Sequence, residues 1–145
     1  MCNKMAFRFI SLLLSVYLAW SLEIVEAGPP HLTVESFRAQ VLEDGKLKTH
    51  LPWFIKFYAP WCGHCKNMAP AWEQLHEQHS DTFNVAQVDC TEEDAKQLCS
   101  DFNVQGFPTL LFFVAGEDDE PARFYNYEGR RSVSEWLSFA QGGYL

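Results

Sequence analysis

Residues 52–59, Pro-Trp-Phe-Ile-Lys-Phe-Tyr-Ala, are apolar at almost every position. A strand with one wet face alternates, so an unbroken apolar run of this length is the pattern of a strand covered on both faces. Such a strand needs a sheet with helices packed above and below it, and that requirement constrains the rest of the chain. Pro60 ends the run. Over residues 62–79 the pattern turns helical, with Met68, Trp72 and Leu75 near one face. Residues 83–89 and 109–115 read as two further inner strands. Residues 123–127 alternate like a hairpin partner beyond the turn material of 116–121.

Smaller elements fill the intervals. Residues 32–34 read as a strand, 36–42 as a helix ending near Asp44-Gly45, and 132–140 as a last helix. Thr91, with Asp94 three residues on, reads as the cap of a helix reaching about Phe102. The resulting order, β-α-β-α-β-α-β-β-α, predicts an α/β domain with a central mixed sheet and helices on both faces. At 145 residues there is room for one domain, with no linker or repeat.

The N-terminus reads differently. Lys4 and Arg8 precede an apolar run over residues 9–22, and Val25-Glu26-Ala27 offers small residues where a signal peptidase cuts. That run is shorter than the ~20 residues a spanning helix needs. Residues 1–27 are therefore expected to be a cleaved leader, with 28–145 the mature domain and no membrane segment in it. Lys4 and Arg8 offset Glu23 and Glu26, so the net charge of −8 survives the cut. Basic residues cluster nowhere, which argues against nucleic acid as a partner. The acidic residues 117–120 fit a solvated turn. The chain ends Gln141-Gly142-Gly143-Tyr144-Leu145 without a Lys-Asp-Glu-Leu-type signal. Secretion, retention by a partner and a longer natural chain are the alternatives this leaves.

A leader implies an oxidising compartment, and Cys62, Cys65, Cys90 and Cys99 are an even set there. Cys62-Gly63-His64-Cys65 falls where the buried strand gives way to the helix. At a helix N-terminus, free N–H groups and the positive end of the dipole favour a thiolate over a thiol. Cys62 is thus the expected nucleophile, and Cys65, one turn on, the thiol that resolves a mixed disulfide. The His64 imidazole adds partial positive charge beside Cys62; stabilising the reduced form makes the disulfide a better oxidant. Half of a zinc site is the competing reading of this motif. A tetrahedral site needs a second ligand pair, and Cys90 and Cys99 lack the spacing. No metal and no cofactor are expected.

Phe57-Tyr58-Ala59-Pro60-Trp61-Cys62-Gly63-His64-Cys65-Lys66 resembles the active site of the protein disulfide isomerase family. Val88-Asp89-Cys90-Thr91, Gly106-Phe107-Pro108-Thr109-Leu110 and Tyr127-Glu128-Gly129-Arg130-Arg131 match further family stretches in order. The likeness spans residues 32–140 and looks most like the catalytic units of an endoplasmic-reticulum member with three such domains. It implies a thioredoxin fold and thiol–disulfide exchange on unfolded or reduced secretory clients. The setting it implies is the endoplasmic reticulum lumen, with an upstream oxidase or glutathione recharging the pair.

The resemblance also implies roles around the pair. Pro108 would be cis and packed against the cysteines, with the backbone beside it, at Phe107, pairing with substrate; Trp61 reads either as packing or, beside the motif, as a further substrate contact. Arg131 resembles the family arginine that swings toward the second cysteine, although Arg130 stands beside it. Many members carry a glutamate where this chain has Lys56. Lys56 leaves three readings: an ammonium carried to solvent at a sheet edge, a partly buried lysine relaying protons to Cys65, or no relay. Some relatives have a disulfide in the region of Cys90 and Cys99. A regular helix from Thr91 would set Cys99 ~12 Å along the axis, beyond the ~7 Å a disulfide spans. A bridge and two buried thiols both stay open. A binding module, with the cysteines merely switching a contact, is the competing class of function.

Overall fold

The computed structural model describes residues 28–118 and 120–145; the leader read over residues 1–27 lies outside them. The helices are α1 (Val34–Gln40), α2 (Gly63–His79), α3 (Lys96–Asp101) and α4 (Val133–Ser138), the last running on into a π turn over Phe139–Gly143. The strands are β1 (Leu42–Glu43), β2 (Lys46–Leu47), β3 (Trp53–Tyr58), β4 (Asn84–Asp89), β5 (Thr109–Val114) and β6 (Arg123–Asn126). Four of these make the main sheet in the order β4-β3-β5-β6, with β3 parallel to β4 and antiparallel to β5, and β6 antiparallel to β5. The sheet is mixed, and β3 has a partner on each side.

Because β3 is interior, both its faces are covered, as its apolar run requires. Trp53, Ile55 and Phe57 pack with Phe37 of α1, Leu98 of α3, and Leu111 and Phe113 of β5. Phe54 points the other way and packs with Met68, Trp72 and Leu75 of α2 and Trp136 of α4. Its ring meets Trp72 at 5.3 Å and Phe112 at 5.4 Å, both edge-on. Burying each such side chain contributes about 1.5–3 kcal/mol, so these two clusters hold α2 fixed against the sheet. Trp72 adds a hydrogen bond from Nε1 to the Ala86 carbonyl at 3.3 Å.

Three local expectations are corrected. The strand read over 32–34 shrinks to a single parallel bridge between His31 and Gln87. The helix starts sooner than expected because Thr33 and Ser36 form a capping box: Thr33 Oγ1 accepts from the Ser36 N–H at 3.1 Å, and Ser36 Oγ accepts from the Thr33 N–H at 2.8 Å. It also stops at Gln40, and Asp44-Gly45 makes a hairpin turn between β1 and β2 instead of a helix end. Their φ values of 50° and 78° are the left-handed pair a two-residue hairpin turn demands.

The third correction concerns Thr91, which caps no helix. Its N–H and its hydroxyl both donate to Asp89 Oδ1, at 2.9 and 2.7 Å. The aspartate closes its own turn two residues on, a local bond that competes with helix formation. The chain stays in turns until Lys96, where α3 begins. It therefore does not rise steadily from residue 91, and the axial separation of a continuous helix does not apply. Cys90 and Cys99 lie 5.9 Å apart at Cα and are joined in a disulfide. Among the described residues no helix is long and apolar enough to cross a membrane.

Candidate active site

β3 delivers the chain to Ala59-Pro60-Trp61, and the Cys62 N–H donates to the Ala59 carbonyl at 3.1 Å. Cys62 is the N-cap of α2, with extended backbone and its side chain in the place where a serine or aspartate oxygen usually sits. Its Sγ accepts the Cys65 N–H at 3.2 Å. One otherwise unpaired helix N–H is thus spent on sulfur, and the positive end of a 17-residue helix points at the same atom. Cys62 and Cys65 are free thiols and both are buried. They pack with Ala59, Tyr58 and Phe107 in a small cluster of their own.

Phe107 arrives on the loop before β5, across a cis peptide bond to Pro108. Its ring meets Trp61 edge-on at 5.8 Å. Trp61 is 70 % exposed, so the tertiary structure sets a large apolar surface beside a sulfur pair that is itself enclosed. Gly63 and His64 are exposed at the first turn of α2. Arg130 and Arg131 are exposed in the turn before α4. The charges that act on Cys65 come from Cys62 and Lys56, and neither arginine is among them.

Lys56 is placed where a lysine is rare. It lies mid-strand in β3, paired with Gln87 of β4 and Leu110 of β5. It is 3 % exposed, so the reading that put its ammonium in solvent at a sheet edge fails because β3 is not an edge. Lys56 Nζ sits over the Tyr58 ring, 5.0 Å from its centroid, and 5.9 Å from that of Trp72. Burial holds its ammonium below the ordinary lysine range, while Cys65 and Glu73 pull the other way. Burial also pushes the Cys65 thiol up to about 11, helped by a hydrogen bond between the two thiol side chains and by charge on Cys62, and opposed by the Ala59 amide and Lys56. The structure adds Tyr58 to the site. Its place two residues after Lys56, on the same face of one strand, was the signal available.

The fold and the cysteine pair together define a dithiol domain: a mixed sheet, a long helix capped by one thiol, and a cis-proline loop packed against both. This chain belongs to the thioredoxin family, whose model, described as Thioredoxin, matches residues 29–141. It is 42 % identical over 115 residues to a thioredoxin domain-containing protein 5 homolog of Drosophila melanogaster, covering 77 % of this chain and 25 % of that protein. It is 45 % identical over 89 residues to protein disulfide-isomerase 1 of Dictyostelium discoideum, covering 59 % of this chain and 23 % of that one. The chain thus spans about a quarter of the length of these relatives.

Among solved structures, the first thioredoxin domain of mouse protein disulfide-isomerase A4 matches with a TM-score of 0.63 at 29 % identity, covering 83 % of this chain and 78 % of that one. The Trx4 domain of ERdj5 matches with a TM-score of 0.68 at 23 % identity, covering 80 % and 95 %. That second likeness is one of fold.

Proposed function

We propose that this domain is a thiol–disulfide oxidoreductase of the protein disulfide isomerase type. The observation that carries the reading is the Cys65 N–H donated to Cys62 Sγ at the N-terminus of α2, which aims a helix end at one sulfur and encloses its partner. In the oxidising direction a client thiolate attacks Cys62 of the Cys62–Cys65 disulfide, and Cys65 leaves as a thiolate and takes up a proton. A second client thiolate then attacks the client sulfur of the mixed disulfide, and Cys62 leaves with the electron pair. In the reducing or isomerising direction the Cys62 thiolate attacks a client disulfide. Cys65 then attacks Cys62 Sγ and releases the client. His64, beside Cys62, biases the pair toward donating disulfides.

Clients are unfolded or reduced secretory proteins. They bind through backbone along the Pro108 loop and apolar contact with Trp61 and Phe107, which suits weak sequence preference. The site of action is the endoplasmic reticulum lumen, with an oxidase or glutathione disulfide as the electron acceptor. The leader pattern of residues 1–27 and the disulfide-isomerase names of the relatives support that setting. Catalysed oxidative refolding of a reduced test protein checks the activity. Cys62→Ser is expected to abolish turnover; undiminished refolding in that variant would leave only a binding module.

A further inference from the structure

Two charged side chains are buried among the described residues, Lys56 and Asp89. Asp89 is satisfied, since it accepts from both the N–H and the hydroxyl of Thr91. Lys56 has instead two ring faces, Tyr58 on its own strand and Trp72 on α2. Ring faces attract a cation, but they do not neutralise it. A buried ammonium needs an anion near it.

The neighbouring elements offer few candidates. Leu110 on β5 is apolar and Gln87 on β4 is neutral. Asp89 on β4 is committed to its own turn. Glu73 on α2 acts on Lys56 but is exposed, where water screens it. Cys65 on α2 is left: it is buried, it packs against the same Tyr58 whose ring seats the ammonium, it lies two turns before Trp72 on the buried side of the helix, and it bears negative charge at one stage of the proposed reaction.

We propose that Lys56 is the proton partner and counter-ion of the Cys65 thiolate. When the Cys62 mixed disulfide forms, the Cys65 proton passes to the Lys56 amine, which leaves a thiolate beside an ammonium seated on Tyr58 and Trp72. The thiolate attacks Cys62 Sγ, the bond to the client sulfur breaks, and the client leaves with that electron pair. Lys56 has then lost its counter-ion to the new disulfide and returns its proton to solvent. Its charge therefore follows the redox state of the pair. In the dithiol, burial and Cys62 hold the thiol high and burial holds the amine low, so the proton stays on Cys65; the Cys62 contribution ends when that sulfur enters the mixed disulfide, while Lys56 and Cys65 still draw each other toward their charged forms. Lys56 is buried away from the client and acts on the reacting Cys65 alone. This inference rests on the reading of Cys62 and Cys65 as the exchanging pair.

The test is stopped-flow reaction of the reduced domain with one equivalent of Ellman's reagent. The first thiobenzoate release reports attack by Cys62, and the second reports resolution by Cys65. Lys56→Met, an apolar side chain of similar length, is expected to slow the second phase at least tenfold near neutral pH. That factor is the lower end of what one opposite charge does to an ionisation. The first phase stays as it is, and the two proteins converge in alkali, where Cys65 ionises unaided. In the unaltered protein, the ¹³C shift of the Lys56 ε-carbon is expected to titrate differently in the dithiol and disulfide forms. Equal second phases, a slowing that is the same at every pH, or one Lys56 titration curve in both redox states would overturn the proposal. A wild-type domain with no second phase at all would instead remove the assignment of the cysteine pair.

Discussion

Replacing both Cys90 and Cys99 by alanine separates the structural disulfide from the reactive pair. The bridge joins residues with a sequence separation of 9. Closing a loop of about ten residues removes about 2.7 kcal/mol of chain entropy from the unfolded state at 25 °C. For a domain of this size each kcal/mol moves the melting temperature by about 3–6 °C, so the loss corresponds to roughly 8–16 °C. The structure says where the constraint acts. Residues 91–95 form turns, not helix, and the Val104 N–H bonds the Cys99 carbonyl at 2.8 Å while the Cys90 N–H bonds the Tyr58 carbonyl at 2.9 Å. The bridge thus ties the end of β4 to α3 across turns with little regular structure of their own. Alanine suits both positions, because the cysteines pack against the cluster around Leu98 and Phe113. Calorimetry with Cys62 and Cys65 kept reduced measures the shift, and oxidative refolding at 25 °C measures function. Turnover is expected to persist. A shift below about 2 °C would mean that segment 90–99 is ordered without its bridge. Lost turnover in a variant still folded at the assay temperature would make the second disulfide part of the redox route.

Two further outcomes follow from the site and the chain start. Burial, with the Cys62 hydrogen bond, raises Cys65 from 9.0 to about 11. A thiol whose folded value is raised stabilises the fold fully below the unfolded value and loses that contribution as pH climbs through the folded one. The reduced domain should therefore lose stability relative to the oxidised domain between about pH 9 and 11, and a gap in melting temperature constant over that window would contradict the assignment. For the leader, N-terminal sequencing of protein from secretory cells is expected to begin at Gly28; a mature chain that retains residues 1–27 would refute cleavage.

Much of the fold is legible in local patterns. The apolar run 52–59 is an inner strand because period and composition are properties of adjacent residues. The helical face of Met68, Trp72 and Leu75 is buried as its spacing implies. Cys62 caps α2 because a strand that stops at Pro60 and a helix that starts one turn later leave it no other place. Local signals misled where two of them competed. Thr91 resembled a helix cap, yet Asp89 took its N–H first. Asp44-Gly45 resembled a helix end, yet its left-handed pair served a hairpin.

The sequence by itself determined the sheet-and-helix alternation, the placement of a Cys-Gly-His-Cys motif at a helix start, and so the class of chemistry. These depend on residues a few positions apart. The tertiary structure alone decided that β5 flanks β3 opposite β4, which puts Lys56 inside the protein and not at an edge. It also decided that Cys90 meets Cys99 and that Phe107 meets Trp61 beside the thiols. Burial, and with it the charge a side chain can carry, depends on which distant segments cover a position. No window along the chain holds that information, and it is what turns Lys56 from a surface lysine into a partner for Cys65.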